Sequence, residues 1–144
     1  MKYFFYGAES AAVTPVEKQF AGVKDQRHLY DLLSDIWCEY TCAPRMRDEW
    51  SEQNKTLGQC SITAFLVQDI FGGEVYGVPL ESGGFHCYNV VGEVLFDLTS
   101  EQFGNKKLLF ERKNPQSREA HFADKEKFAR YIYLKENLLK KLNG

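Results

Sequence analysis

The sequence predicts a single α+β domain with a papain-like (transglutaminase-like) core, spanning residues 1–144. Apolar stripes of helical period occupy both flanks of the chain. Between them, a helix apolar on most of its sides is followed, after a Gly-Gly stop, by three strand-like stretches. There is no repeat and no linker-like composition shift, so helices and strands segregate within one unit rather than alternating as βαβ.

Residues 2–6 read as a short strand, and Pro15 marks a turn or helix start. Over 26–40, Leu29, Leu32, Leu33, Ile36, Trp37 and Tyr40 form one apolar stripe with Asp25 as N-cap, predicting a helix. Pro44 closes that region. Residues 45–53 are charged and carry Trp50, and 54–58 end in Gly, which reads as a turn. From Cys60, the run Ile62, Ala64, Phe65, Leu66, Val67, Ile70, Phe71 predicts a central helix stopped by Gly72-Gly73. Strands are expected over 74–80, 85–91 and 93–98, the last two joined by Gly92-Glu93, a pair suited to a two-residue type II′ hairpin. A further strand is expected over 107–111 and a turn at 114–117. Asp124 is the expected cap of a final helix with the stripe Phe128, Tyr131, Ile132, Leu138, Leu142.

Composition excludes several classes. At 144 residues, with 44% hydrophobic, 15% aromatic and 26% charged residues, the chain can bury a core without disulfides or metal. Net charge is −2. Residues 104–144 hold eleven Lys/Arg against five Asp/Glu, which reads as the solvated face of a surface helix. No finger, RRM, phosphate-loop or dinucleotide fingerprint occurs, so neither nucleic acid nor a nucleotide cofactor is expected. No secretory leader or membrane span is expected either. Cys38, Cys42, Cys60 and Cys87 are then expected to stay thiols in the cytoplasm.

The hairpin makes a geometric claim. With Gly92-Glu93 as its loop, paired residue numbers sum to 185, so His86, Tyr88, Asp97 and Thr99 share a face. His86 and Asp97 become diagonal neighbours within side-chain reach. Cys60, at a helix start, would meet unpaired N–H groups and the positive end of the dipole, both of which favour thiolate. The roles follow: Cys60 as nucleophile, His86 as base and acid, Asp97 orienting the imidazole. The bland reading of the same residues is a small buried Cys, a structural His and a strand-end Asp. Zinc is disfavoured because there is no Cys-x2-Cys pair and His86 and Cys87 alternate in face. A non-catalytic binding module, with Trp37, Trp50, Tyr76 and Tyr88 lining a groove, is the other rival.

The order helix-start Cys, strand His, next-strand Asp resembles the papain-like fold, particularly its transglutaminase-like branch. More narrowly, Trp50, Asn54, Leu57-Gly58-Gln59-Cys60, Thr63-Ala64, Gln68-Asp69, Gly72-Gly73, His86, Asn89, Asp97-Leu98-Thr99 and Gln102-Phe103 resemble the YunG-like group of small bacterial proteins, over roughly residues 30–140. The resemblance implies thiol-dependent hydrolysis or acyl transfer at an amide, thioester or ester, on a small-molecule or peptide substrate, with no cofactor. It also implies an amide for the oxyanion. Papain-like enzymes commonly place a Gln six residues before the Cys; Asn54 stands there, with Gln53 beside it and Gln59 next to the Cys, and the choice among the three stays open. Cys87 stands where a larger aromatic is expected and reads as a core residue. The loop 81–84 is the expected mobile edge of the cleft.

Overall fold

A computed structural model of the protein describes residues 3–144. Four α-helices, α1 (Gln26–Ser34), α2 (Cys60–Phe71), α3 (Arg118–Phe122) and α4 (Lys125–Asn143), surround a small sheet of β1 (Glu74–Pro79), β2 (Phe85–Val91) and β3 (Val94–Phe96). The sheet is antiparallel in the order β1-β2-β3. Short 3-10 turns lie at Lys18–Phe20, Pro44–Glu49 and Ser100–Phe103. No helix among the described residues is long and apolar enough to cross a membrane.

The centre is α2, as its all-round apolarity predicts. Ile62, Phe65, Leu66, Val67 and Ile70 are fully buried, each contributing about 1.5–3 kcal/mol relative to exposure. One side of α2 packs on β2 and the other on α4. A polar tie fixes the first contact: Asn89 Nδ2 donates to the Ala64 carbonyl at 2.8 Å. Residues with one parity along β2, such as Cys87, therefore face α2 in the main core. The opposite parity carries Tyr88 and Val90, which join Val78 in a second cluster.

The hairpin register is as expected. Asn89 pairs with Phe96, Val90 with Leu95 and Val91 with Val94. Gly92 has φ +60° while Glu93 is not in the positive-φ region, the signature of a type II′ turn. Both expected caps form: Asp25 accepts from the His28 N–H at 2.9 Å, and Asp124 Oδ1 accepts from Glu126 N at 3.0 Å and Lys127 N at 3.2 Å.

Five expectations change. The helix expected over 26–40 stops at Ser34, because Asp35 and Ile36 turn to i−3 carbonyls and the Thr41 hydroxyl takes the Cys38 N–H at 2.9 Å, offering the chain a side-chain turn in place of another helical turn. Trp37 still enters the core, its indole N–H donating to Thr63 Oγ1 at 3.0 Å. Pro44 opens a 3-10 turn rather than ending an element. The strand expected over 93–98 ends at Phe96, since Asp97 N donates to the Tyr6 carbonyl at 2.9 Å. Of the strand expected over 2–6, that bridge at Tyr6 is what forms among the described residues, and Lys2 lies outside them. Residues 107–111 form no strand. Leu108 and Phe110 instead cover the second cluster, and Tyr88 Oη accepts from Arg112 N at 2.8 Å. Leu109, between Leu108 and Phe110, is 70% exposed, so the segment is a lid on the sheet face and not an added strand. The short α3, capped by Ser117, carried no periodicity long enough to be read.

Candidate active site

The turn before α2 is tight. Gly58 has φ +71°, and a Cβ there would lie 2.5 Å from Cys42 Sγ and 2.9 Å from Ala43 N, so only glycine fits the approach. Ala43 N donates to the Gly58 carbonyl at 2.9 Å, and Gly58 N donates to Gln102 Oε1 at 3.3 Å. These bonds place Cys60 as the first residue of α2. No side chain caps that helix start, so its orphan N–H groups and the dipole's positive end are directed at the site.

His86 and Asp97 meet as the shared face requires. His86 Nε2 and Asp97 Oδ2 are 2.5 Å apart, and both side chains are 1% exposed. The other carboxylate oxygen accepts from Thr99 N at 3.1 Å and Thr99 Oγ1 at 3.2 Å, which leaves Asp97 one orientation. With Nε2 committed to Asp97, Nδ1 is the nitrogen that serves the thiol. Phe103 meets the imidazole edge-on at a centroid distance of 4.7 Å.

Cys60, His86, Ser61, Gln102 and Phe103 line a cleft of about 410 Å³ whose far wall comes from 43–46 and the α3–α4 corner. A larger cavity of about 700 Å³, lined by Phe4, Tyr6, Ser100, Lys107 and Phe110, holds none of the three predicted residues. Volume alone does not locate chemistry, and the smaller cleft is the one with the reactive groups.

The structure does not bring the amides expected for the oxyanion to the cleft. None of Asn54, Gln53 and Gln59 lines the cleft. Asn54 lies in the preceding turn, its backbone N–H donating to Ser51 O and its backbone carbonyl accepting from Leu57 N, away from the cleft lining. Gln53 points into solvent. Gln59 is fully buried, Nε2 donating to Cys38 O at 3.2 Å. Gln102, whose Nε2 donates to Thr99 O at 2.9 Å, is the amide that reaches the cleft wall.

Cys87 was read as a core residue, and it is 1% exposed in the main core. Its further role went unread. The Cys87 backbone lies beyond the last β2–β3 pair, Asn89 with Phe96, and its N–H bonds the first residue of α2. The Cys87 thiol, then the His86 imidazole and the Cys87 backbone N–H, donate to the Cys60 sulfur and hold its pKa well below the ordinary thiol value against the effect of burial. Cys87 moves the other way, well above the usual value, because its proton is held on Cys60 and by burial. Burial alone would lower His86, but the Asp97 carboxylate, reinforced by Cys60, carries it up to about 10. Both directions favour a thiolate on Cys60 and an imidazolium on His86.

This arrangement predicts a pH profile of stability. Unfolded, His86 would release its proton near 6.5; folded, it holds it to about 10. Its contribution is therefore complete below about 6.5 and lost as pH rises through about 10. Cys60 contributes fully above the usual thiol value of 9.0 and less as pH falls toward its depressed value. Between about 6.5 and 9 the two slopes oppose each other. Above 9, His86 and Cys87 both hold protons that the unfolded chain releases. Urea unfolding at pH 7, 9 and 10.5 should show a near-flat neutral region and then an alkaline decline, made shallower by Cys87→Ala. An unchanged slope in that variant would count against the thiol pair.

Among the described residues no three His, Cys, Asp or Glu side chains are grouped to hold a metal ion. Fold and site together define an α+β protein that presents a helix-start thiol to a buried imidazole–carboxylate pair. The chain belongs to the YunG family, whose model, described as YunG protein, matches residues 25–143. It is 30% identical over 117 residues to "Uncharacterized protein YunG" of Bacillus subtilis (strain 168), a match covering 81% of this chain and 94% of that one. No solved structure matches the chain.

Proposed function

We propose that the protein carries out thiol-dependent acyl chemistry on a papain-like arrangement, hydrolysing or transferring at an amide, thioester or ester. The observation that carries this reading is the 2.5 Å His86–Asp97 pair set beside Cys60 on the floor of the cleft. In the proposed cycle the Cys60 thiolate attacks the carbonyl carbon, and the developing oxyanion is met by uncapped N–H groups of the first turn of α2. His86, already protonated, gives its proton to the leaving group. The acyl group then resides on sulfur, and water or an amine, deprotonated by His86, releases it. A cleft of about 410 Å³ suits a small molecule or the end of a peptide. The four free cysteines fit a reducing compartment, as in the cytoplasm.

Iodoacetamide labelling resolved by cysteine tests the reading without a known substrate. Cys60 should label with an apparent pKa well below 8.5, and that depression should vanish in His86→Ala. A Cys60 that titrates alongside the partly exposed Cys38 would overturn it.

A further inference from the structure

The proposed chemistry leaves the charged rim of the cleft unused. Three charged residues on it, Arg130, Glu126 and Asp124, are neutralised or serve the fold. Arg130 Nε bonds both Glu126 carboxylate oxygens at 2.9 and 3.0 Å, Glu126 also takes Arg47 at 3.1 Å, and Asp124 caps α4. Two lining cations, Lys127 and Arg45, are left over. Arg45 is exposed and makes no ion pair among the described residues. Lys127 is half-buried, and its ammonium is bonded to a neutral acceptor: Nζ donates to His121 Nδ1 at 2.9 Å. His121 is itself fixed, Nε2 donating to Gln116 Oε1 at 2.8 Å. Burial, then Lys127, lowers its pKa and keeps the ring uncharged. A cation held in place by a neutral ring, with no carboxylate partner, retains its field for whatever enters the cleft. That field reaches the site's interior, where Lys127 acts electrostatically on Cys87, and Lys127 lines the same cleft as Cys60.

We infer that Lys127, positioned by His121 and assisted by Arg45, recognises an anionic group on the acyl substrate, so that the class acted on is an acyl donor carrying a carboxylate near its reactive carbonyl. The inference rests on the thiol reading above and adds the substrate's charge to it. His121 is a positioning residue, while Lys127 touches the substrate.

The test uses two alkylating probes that differ in charge. Iodoacetate and iodoacetamide react with Cys60 by the same step: the sulfur forms a bond to the CH2 carbon, the carbon–iodine bond breaks, and iodide leaves. Iodoacetamide reports the thiolate; the ratio of iodoacetate to iodoacetamide rates reports the field on an anion. Relative to glutathione, Cys60 should favour iodoacetate. Lys127→Gln should cut the ratio about three- to tenfold, the effect of one unit charge at several ångströms in a high effective dielectric, and Arg45→Gln by less. Salt should shrink the ratio in the native protein. If Cys60 reacts normally but the ratio is the same in native protein and both variants, the substrate inference is overturned and the thiol reading stands. Equal loss of both rates in Lys127→Gln would mean that the ammonium serves the triad's own charge, which also overturns it. A Cys60 inert to both probes removes the thiol reading itself, and this inference with it.

Discussion

Cys60→Ser should lower acyl turnover about 10⁶-fold, the loss seen when the nucleophile of such a constellation is removed, with the fold intact. The reason is specific to this site. With the Cys60 contribution gone, the Asp97 carboxylate still raises His86, so at neutral pH the imidazole is a poor base toward a serine hydroxyl. A thiol needs no such base, because its own pKa lies well below the usual value here. The substitution is nearly isosteric, and Cys60 sits at the cleft floor rather than in the apolar centre. Loss of stability should stay near about 1 kcal/mol. Turnover of a thioester panel by native protein and variant, with melting curves in parallel, measures both. Retained turnover in the serine variant would end the proposed function.

Asp97 separates two effects that the nucleophile cannot. Asp97→Ala strips the acceptor from His86 Nε2 and from both Thr99 donors in a fully buried position. Burial then dominates the imidazole, which sheds its proton and so escapes the full cost of a buried unpaired charge. Orphaned polar groups remain, and the expected loss is about 2–3 kcal/mol. The Cys60 labelling pKa should rise in the same variant, because the imidazolium that stabilised the thiolate is gone. Asp97→Asn should fold better and still be slow. Thr99 N–H fixes the side chain, forcing the amide oxygen toward Thr99 and the NH2 toward His86. Nε2 must then accept, the ring proton moves to Nδ1, and Cys60 faces the wrong tautomer. Turnover should fall about 10⁴-fold, less than for Cys60→Ser. An Asn variant as active as the native protein would show that Asp97 does no more than fill space.

Much of this site was legible in the chain. A start of α2 at Cys60, the stop at Gly72-Gly73, and the caps at Asp25 and Asp124 are local properties, set by periodicity and by side chains that bond the nearest backbone. The hairpin register is local too, because a two-residue Gly-X loop permits one pairing, and from it the His86–Asp97 contact follows by parity. The amides at 53, 54 and 59 failed for a different reason. Spacing from the cysteine says which residues precede it, but a turn as tight as Gly58 sends neighbouring side chains in unrelated directions. Gln59 is turned into the core while Gln102, far off in sequence, arrives at the wall.

Local pattern in the chain set the order of elements, the central helix, the hairpin and, by its register, the pairing of His86 with Asp97. Each is decided over a few residues by backbone geometry and hydrophobic period. Tertiary structure alone decided where α1 ends, that 107–111 is a lid and not a strand, and that Cys87 shares its proton with Cys60. It alone brought Lys127 and His121 to the cleft. Those outcomes depend on which surfaces meet across long separations in the chain, where burial and electrostatics act between groups that no local pattern connects.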